Sequence, residues 1–160
     1  MDDPQAQMLI RDLVTHYFEI YGSRSVVEDP GTLSEIVSGE YLTWLQSLVE
    51  RSDSDRWPIT VALDLREVVV LDYSPNRFRS IICGVWTYRR DSRRTVFPQT
   101  FIRIVSVVEE EGKWKMTASF DFTDSSIIRR GEWEYAPEWM KRELGNVPDI
   151  APEYETCGMH

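Results

Sequence analysis

Histidine and cysteine are almost missing from this chain, with two of each among 160 residues. One histidine is the final residue, so His16 stands alone inside the sequence. No group of His, Cys and carboxylates falls at ligand spacing, and a metal centre is not expected. Cys83 and Cys157 are too few for a disulfide framework. Cys83 sits in an apolar run and reads as a small buried hydrophobe. Cys157, in the tail CGMH, reads as an exposed free thiol, and free thiols fit a reducing compartment. Long apolar runs are lacking too. None approaches the roughly 18 residues of a membrane-spanning helix, and the acidic opening MDDPQAQM carries no apolar leader. The expectation is a soluble protein with no membrane span. Lysine is scarce, since fifteen of the 18 basic residues are arginine, and the net charge is −9. That balance argues against a nucleic-acid partner. No glycine-rich phosphate loop and no G-x-S-x-G occurs, so no cofactor is expected.

What is present organises around residues 96–122, VFPQTFIRIVSVVEEEGKWKMTASFDF. The second half alternates, with Trp114, Met116, Ala118, Phe120 and Phe122 on one face and Lys115, Thr117, Ser119 and Asp121 on the other. The first half is apolar on both faces (Ile102 and Ile104 against Phe101, Val105 and Val107), which predicts cover on both sides. Gly112, after three glutamates, marks a hairpin turn.

Upstream, Asp3-Pro4 opens a helix that Gly22 ends, with Leu9, Leu13, Tyr17 and Ile20 on one face and Ile10, Val14 and Tyr21 widening it. Residues 23–30 read as a polar link. A short helix follows behind a Thr32–Glu35 capping box. A third helix, from about 40 to 51, buries Tyr41, Leu42, Leu45, Leu48 and Val49, and Trp44 with Leu48 reaches the sheet. Strands are predicted at 59–63, 67–73, 79–90, 96–108 and 113–122. Helices first and strands afterwards mean α+β, with an antiparallel meander. The predicted architecture is three N-terminal helices packed on a curved, cone-like antiparallel sheet over residues 1–122. Residues 123–160 form a C-terminal extension with a short helix near 137–144 and an extended acidic tail.

This plan resembles the nuclear transport factor 2-like superfamily. The segment LSEIVSGEYLTWL, residues 33–45, resembles the "LSEVL-x-G-xx-L-xx-W" stretch of the IMS domain of plastid-division proteins and their bacterial relatives. Gly112-Lys113-Trp114-Lys115-Met116 is similar to that family's closing "G-x-WKI" strand. The resemblance covers about residues 8–122, and the extension from Thr123 departs from it. It implies a non-catalytic docking module in a cytoplasmic or plastid stroma-like setting.

The preferred reading is therefore a non-enzymatic protein-interaction or scaffold module, binding a protein or peptide partner or a second copy of the chain. Its contact residues would be Arg89, Arg90, Arg93 and Arg94 at one hairpin tip, with Trp133, Tyr135, Trp139 and Met140 as anchors in the extension. The plainer explanation of the arginines is a solvated turn or a guarded sheet edge, with an acidic peptide, the chain's own tail included, as the next candidate. The alternative is a small-molecule pocket, in a carrier or an isomerase- or dehydratase-like enzyme. Val27-Glu28-Asp29-Pro30 resembles the "VEDP" of ketosteroid isomerases, with Asp29 as base and Tyr17 as oxyanion donor. His16, one turn from Asp12, is a further acid–base candidate. Against this, Asp29-Pro30 is more simply a helix-start turn.

Overall fold

The computed structural model describes residues 3–90, 95–123 and 127–158. It is α+β: an N-terminal helical region, then an open four-stranded antiparallel sheet of order β1-β2-β3-β4, then short helices. Helix α1 spans Asp3–Tyr21. Its buried stripe is Ala6, Ile10, Leu13, Val14, Tyr17 and Phe18. That stripe is turned slightly from the expected one, with Phe18 inside and Leu9 and Ile20 only partly buried. The expected polar link is α2, Arg24–Glu28, capped by the Ser23 hydroxyl, which accepts from the Val26 amide. The second expected helix is a 3-10 turn, Pro30–Glu35, started by Asp29 rather than by a Thr32 box. Helix α3 spans Gly39–Arg51 and buries Tyr41, Leu45 and Val49.

Four strands replace the five expected. The first two are one strand, β1, Pro58–Ser74, antiparallel to β2, Arg77–Arg90. Register shifts at Thr60/Ala62, Leu65/Glu67 and Val70/Asp72 bend it, where the sequence pattern breaks as though at a turn. At one bend the backbones close in, and a side chain at Gly84 would meet the Asp64 carbonyl oxygen at 2.1 Å. Strand β3, Val96–Glu110, pairs with β4, Lys113–Asp121. Glu111 and Gly112, both at positive φ, form the two-residue turn between them.

Strand β4 corrects the sequence reading. Ser106 pairs with Ala118 but Val107 pairs with Met116, so Thr117 is an extra residue. An odd insertion reverses the facing of everything beyond it. Trp114 and Met116 pack on the helical side, whereas Ala118, Phe120 and Phe122 join the opposite cluster. Ser119 and Asp121, expected to face water, turn toward the helices.

Two cores result, one on each sheet face. Phe18, Trp86, Phe101, Val105 and Met116 lie under α1 and α3. Ile81, Ile102, Ile104, Ala118 and Phe122 lie under the C-terminal extension. Strand β3 is thus covered on both faces, in the phase that its sequence predicts. The extension is more ordered than expected: α4, Ile127–Glu134; α5, Glu138–Leu144; α6, Val147–Ile150; and a 3-10 turn, Ala151–Tyr154. Helix α5 matches the predicted 137–144 piece.

The largest correction concerns the cysteines. Cys83 and Cys157 form a disulfide, with Cα atoms 6.0 Å apart, so neither is a free thiol. Disulfides persist in oxidising environments, which weighs against a reducing compartment. No described helix is long and apolar enough to cross a membrane.

Candidate functional site

The candidate site lies between the helices and the far end of β3–β4. Position 103 shares its face with Phe101 and Val105, so the strand's two-residue period drives Arg103 inward. The guanidinium packs over Phe18 and Phe101, 5.3 and 5.8 Å from the ring centroids. The bulge at Thr117 sets Asp121 opposite Arg103 and Ser119 opposite Val105. Arg103 Nε is 3.7 Å from Asp121 Oδ2. Asp121 Oδ1 accepts from the Thr123 amide and hydroxyl at 2.9 and 2.5 Å. Arg103 Nε and Ser119 Oγ are both buried without a hydrogen-bond partner among the described residues. Groups of that kind are costly and uncommon in folded proteins.

Above them is a cavity of about 330 Å³, open at the surface. Tyr17 and Tyr21 from α1, Tyr41, Trp44 and Leu48 from α3, and Met140 from α5 line it. The Tyr17 and Tyr41 hydroxyls are 3.2 Å apart. Tyr17 stacks on Tyr21 at 5.4 Å, and Tyr41 on Trp44 at 6.3 Å. Burial first, and the neighbouring Tyr41, push the Tyr17 phenol well above its ordinary range. Burial likewise raises Tyr21 and Tyr41. Burial alone would lower Arg103, but Tyr17, Asp121, Tyr41 and Tyr21 outweigh it and raise it. The phenols therefore stay protonated and the guanidinium stays charged at neutral pH.

A second cleft, about 500 Å³, shares Tyr21 and Leu48 as a wall. Trp57, Trp86, Tyr88, Arg56 and Arg90 line it. Trp57 Nε1 donates to the Tyr21 carbonyl at 2.7 Å, and Trp86 Nε1 to Thr60 Oγ1 at 2.9 Å, so these rings are held in place.

The predicted site residues scatter. Of His16, Tyr17 and Asp29, only Tyr17 lines the cavity. His16 is exposed, 3.8 Å from Glu35. Asp29 caps the 3-10 turn by accepting from the Gly31 amide at 3.0 Å. Arg89 is exposed, and Arg90 donates to the Arg56 carbonyl and lies 5.8 Å over Tyr88. Arg93 and Arg94 lie outside the described residues. Trp133 and Met140 are buried in the outer core, and Trp139 bridges to Tyr41 at 5.9 Å. Tyr135 is 87% exposed. The tail engages arginines at Arg66, Arg77 and Arg79: Arg66 donates to the Gly158 carbonyl, Arg77 pairs with Glu143, and Arg79 reaches Asn146.

Sequence reasoning missed Arg103, Ser119 and Asp121. A signal existed for Arg103, an arginine in phase with Phe101, Val105 and Val107. None existed for the other two, because the bulge leaves no mark in the alternation. Among the described residues one side-chain group has the composition of a metal site, Glu67 with Cys83 and Cys157. The Glu67 carboxylate lies 3.3 Å from the Cys157 sulfur. Sulfurs joined in a disulfide are not thiolates and do not ligate as such.

No family model matches the chain, and no curated protein does. Among solved structures it is similar to the intermembrane space region of the chloroplast protein ARC6, at 13% identity and a TM-score of 0.49, over 76% of this chain and 96% of that one. A likeness of that degree speaks to neither partner nor activity.

Proposed function

We propose that this protein is a non-enzymatic interaction module that grips an extended segment of a partner protein in the paired clefts between α1, α3 and the sheet. The observation that supports it is that Tyr21 and Leu48 line both clefts, which sets the two side by side. Two adjoining clefts suit a stretch of chain better than a compact small molecule. Its lining of tyrosine, tryptophan and arginine is the composition of protein-interface anchors. The trio His16, Tyr17 and Asp29 is not assembled, which takes support from the isomerase alternative. The cone-shaped plan of the nuclear transport factor 2-like superfamily, and self-association, belong to this proposal as expectations.

The test is selection of a displayed library of random linear peptides on the full chain, with Trp44→Ala and Leu48→Glu chains as counter-targets. Peptides that bind the parent and lose both variants are expected. No enrichment, or binding indifferent to the two changes, overturns the reading. Circular dichroism of the variants excludes misfolding as the cause.

A further inference from the structure

We propose that the cavity beneath α1 and α3 is a carboxylate-binding site, in which Arg103 and Ser119 take a carboxylate carried on an aromatic or apolar body. The proposal rests on the preceding reading only in placing recognition at the same clefts.

The polar groups are unbalanced there. Arg103 offers five N–H donors, Ser119 one hydroxyl, and Tyr17 and Tyr41 a pair of hydroxyls. Two carboxylates line the cavity with them, Glu132 and Asp121. The Asp121 Oδ1 is already committed to Thr123, and its Oδ2 stands 3.7 Å from Arg103 Nε, beyond hydrogen-bond range. Among the described residues Arg103 Nε and Ser119 Oγ are buried with no hydrogen bond of good geometry, the Tyr17 hydroxyl lying beside the guanidinium and the Tyr41 hydroxyl beside Ser119. A donor-rich floor is completed by an acceptor-rich group.

The placement is built rather than incidental. Without the Thr117 bulge, Ser119 and Asp121 would face the C-terminal extension, and Arg103 would have no polar neighbour on its strand pair. Bulges are over-represented beside functional sites because they re-aim side chains in this way. Both tyrosine hydroxyls keep their protons at neutral pH, and since one donates to the other, one O–H of the pair is left to donate elsewhere.

Charge selects the anion. One guanidinium partly offset by Asp121 suits a single negative charge. Among the described residues no lysine lines the cavity and Glu132 does, so a phosphate dianion would be under-compensated. The planar fork of arginine fits two carboxylate oxygens. Tyr21, Trp44, Leu48 and Met140 form walls for an aromatic or aliphatic body.

A carboxylate of this kind can come from a free organic acid or from a peptide's acidic side chain or C-terminus. The experiment is a chemical-shift titration of the isotope-labelled full chain. The probes are hydrocinnamate, its neutral isostere hydrocinnamamide, inorganic phosphate, and a phenylalanine-ended peptide without acidic side chains, with a free or an amidated C-terminus. Saturable shifts around Tyr17, Tyr41 and Ser119 are expected with an acid, and binding about tenfold or more weaker for its amide. Ser119→Ala should weaken the acid by about three- to tenfold. Arg103→Met should remove the acid-over-amide preference, and Arg103→Lys should keep part of it. If Arg103→Met does not fold, the lysine and Ser119 variants carry the test. Binding of hydrocinnamate but of neither peptide places the source in free acids; the proposal then stands and the peptide reading falls. Binding of the free-ended peptide alone supports both. Equal binding of free-ended and amidated peptide leaves the peptide reading standing and overturns the carboxylate site. So does phosphate outcompeting the acid, or no probe binding at millimolar concentration.

Discussion

The two faces of the sheet are closed in different ways. Beneath the C-terminal extension the buried polar groups among the described residues have partners. Arg79 meets Asp72 and Asn146, Ser80 donates to the Val69 carbonyl at 2.9 Å, and Thr117 lies 3.2 Å from Glu143. A covalent bond from Cys83 to Cys157 fastens that cover to the sheet. Beneath α1 and α3 the core is aromatic and contains Arg103, whose Nε has no hydrogen-bond partner among the described residues, beside an open cavity. A face whose hydrogen bonds are complete is explained by stability alone. A guanidinium that is paired only loosely, at 3.7 Å, and whose Nε makes no hydrogen bond among the described residues is not, and such departures concentrate at functional sites.

Breaking either core should have the largest effect. Phe18 contacts Trp86 and Phe101, each at 5.3 Å. Phe18→Ala is expected to lower unfolding stability by about 3–5 kcal/mol, read from urea denaturation. Ile104, fully buried on the other face, should lose about 2–5 kcal/mol on truncation to alanine. Comparable losses would show that both faces are load-carrying cores and differ only in polar completeness.

Opening the disulfide separates them. Its partners are 74 residues apart in sequence, and removing a link over a loop of that length should remove about 2–5 kcal/mol. In Cys157→Ser, hydrogen exchange should rise in α5 and α6 while α1 keeps its protection. Equal loosening of α1 would mean that the faces are not independent.

Alkaline pH acts on the helical face. Tyr17, Tyr21 and Tyr41 are raised above the unfolded value of 10.0. A raised folded pKa gives stability that is complete below the unfolded pKa and lost as pH climbs from there toward the folded one. Above pH 10, stability should fall by up to about 1.4 kcal/mol per pH unit for each phenol. Phenolate absorbance from these three should appear together with unfolding. Early, independent ionisation would show that the cavity is wetter than its burial implies.

Trp44→Ala should have the smallest effect on stability. The ring is 40% exposed, and a loss within about 1 kcal/mol is expected by thermal denaturation. A larger loss would make Trp44 part of the core rather than a wall of the cleft.

The sequence was informative where periodicity ran unbroken. The first helix, the third helix, the helix near 137–144 and the double cover of β3 were all legible from spacing. Failures fell at irregularities in register. The bends in β1 looked like a turn because its apolar pattern lapses at Asp64 and Arg66. The Thr117 bulge was invisible because apolar and polar residues keep alternating through it, so Ser119 and Asp121 went to the wrong face. The C-terminal tail read as merely extended because its order comes from a disulfide and from arginines on strands far away in sequence. Tertiary contacts of that kind leave no local signal.

The most direct test of the account is urea unfolding of the double variant Arg103→Met, Asp121→Asn, which removes both charges and keeps their volumes. If the pair is retained for binding, replacing it with neutral groups should leave stability within about 1 kcal/mol of the parent or raise it, while the preference for hydrocinnamate over its amide disappears. A loss of about 3–5 kcal/mol would make the pair structural and contradict the account.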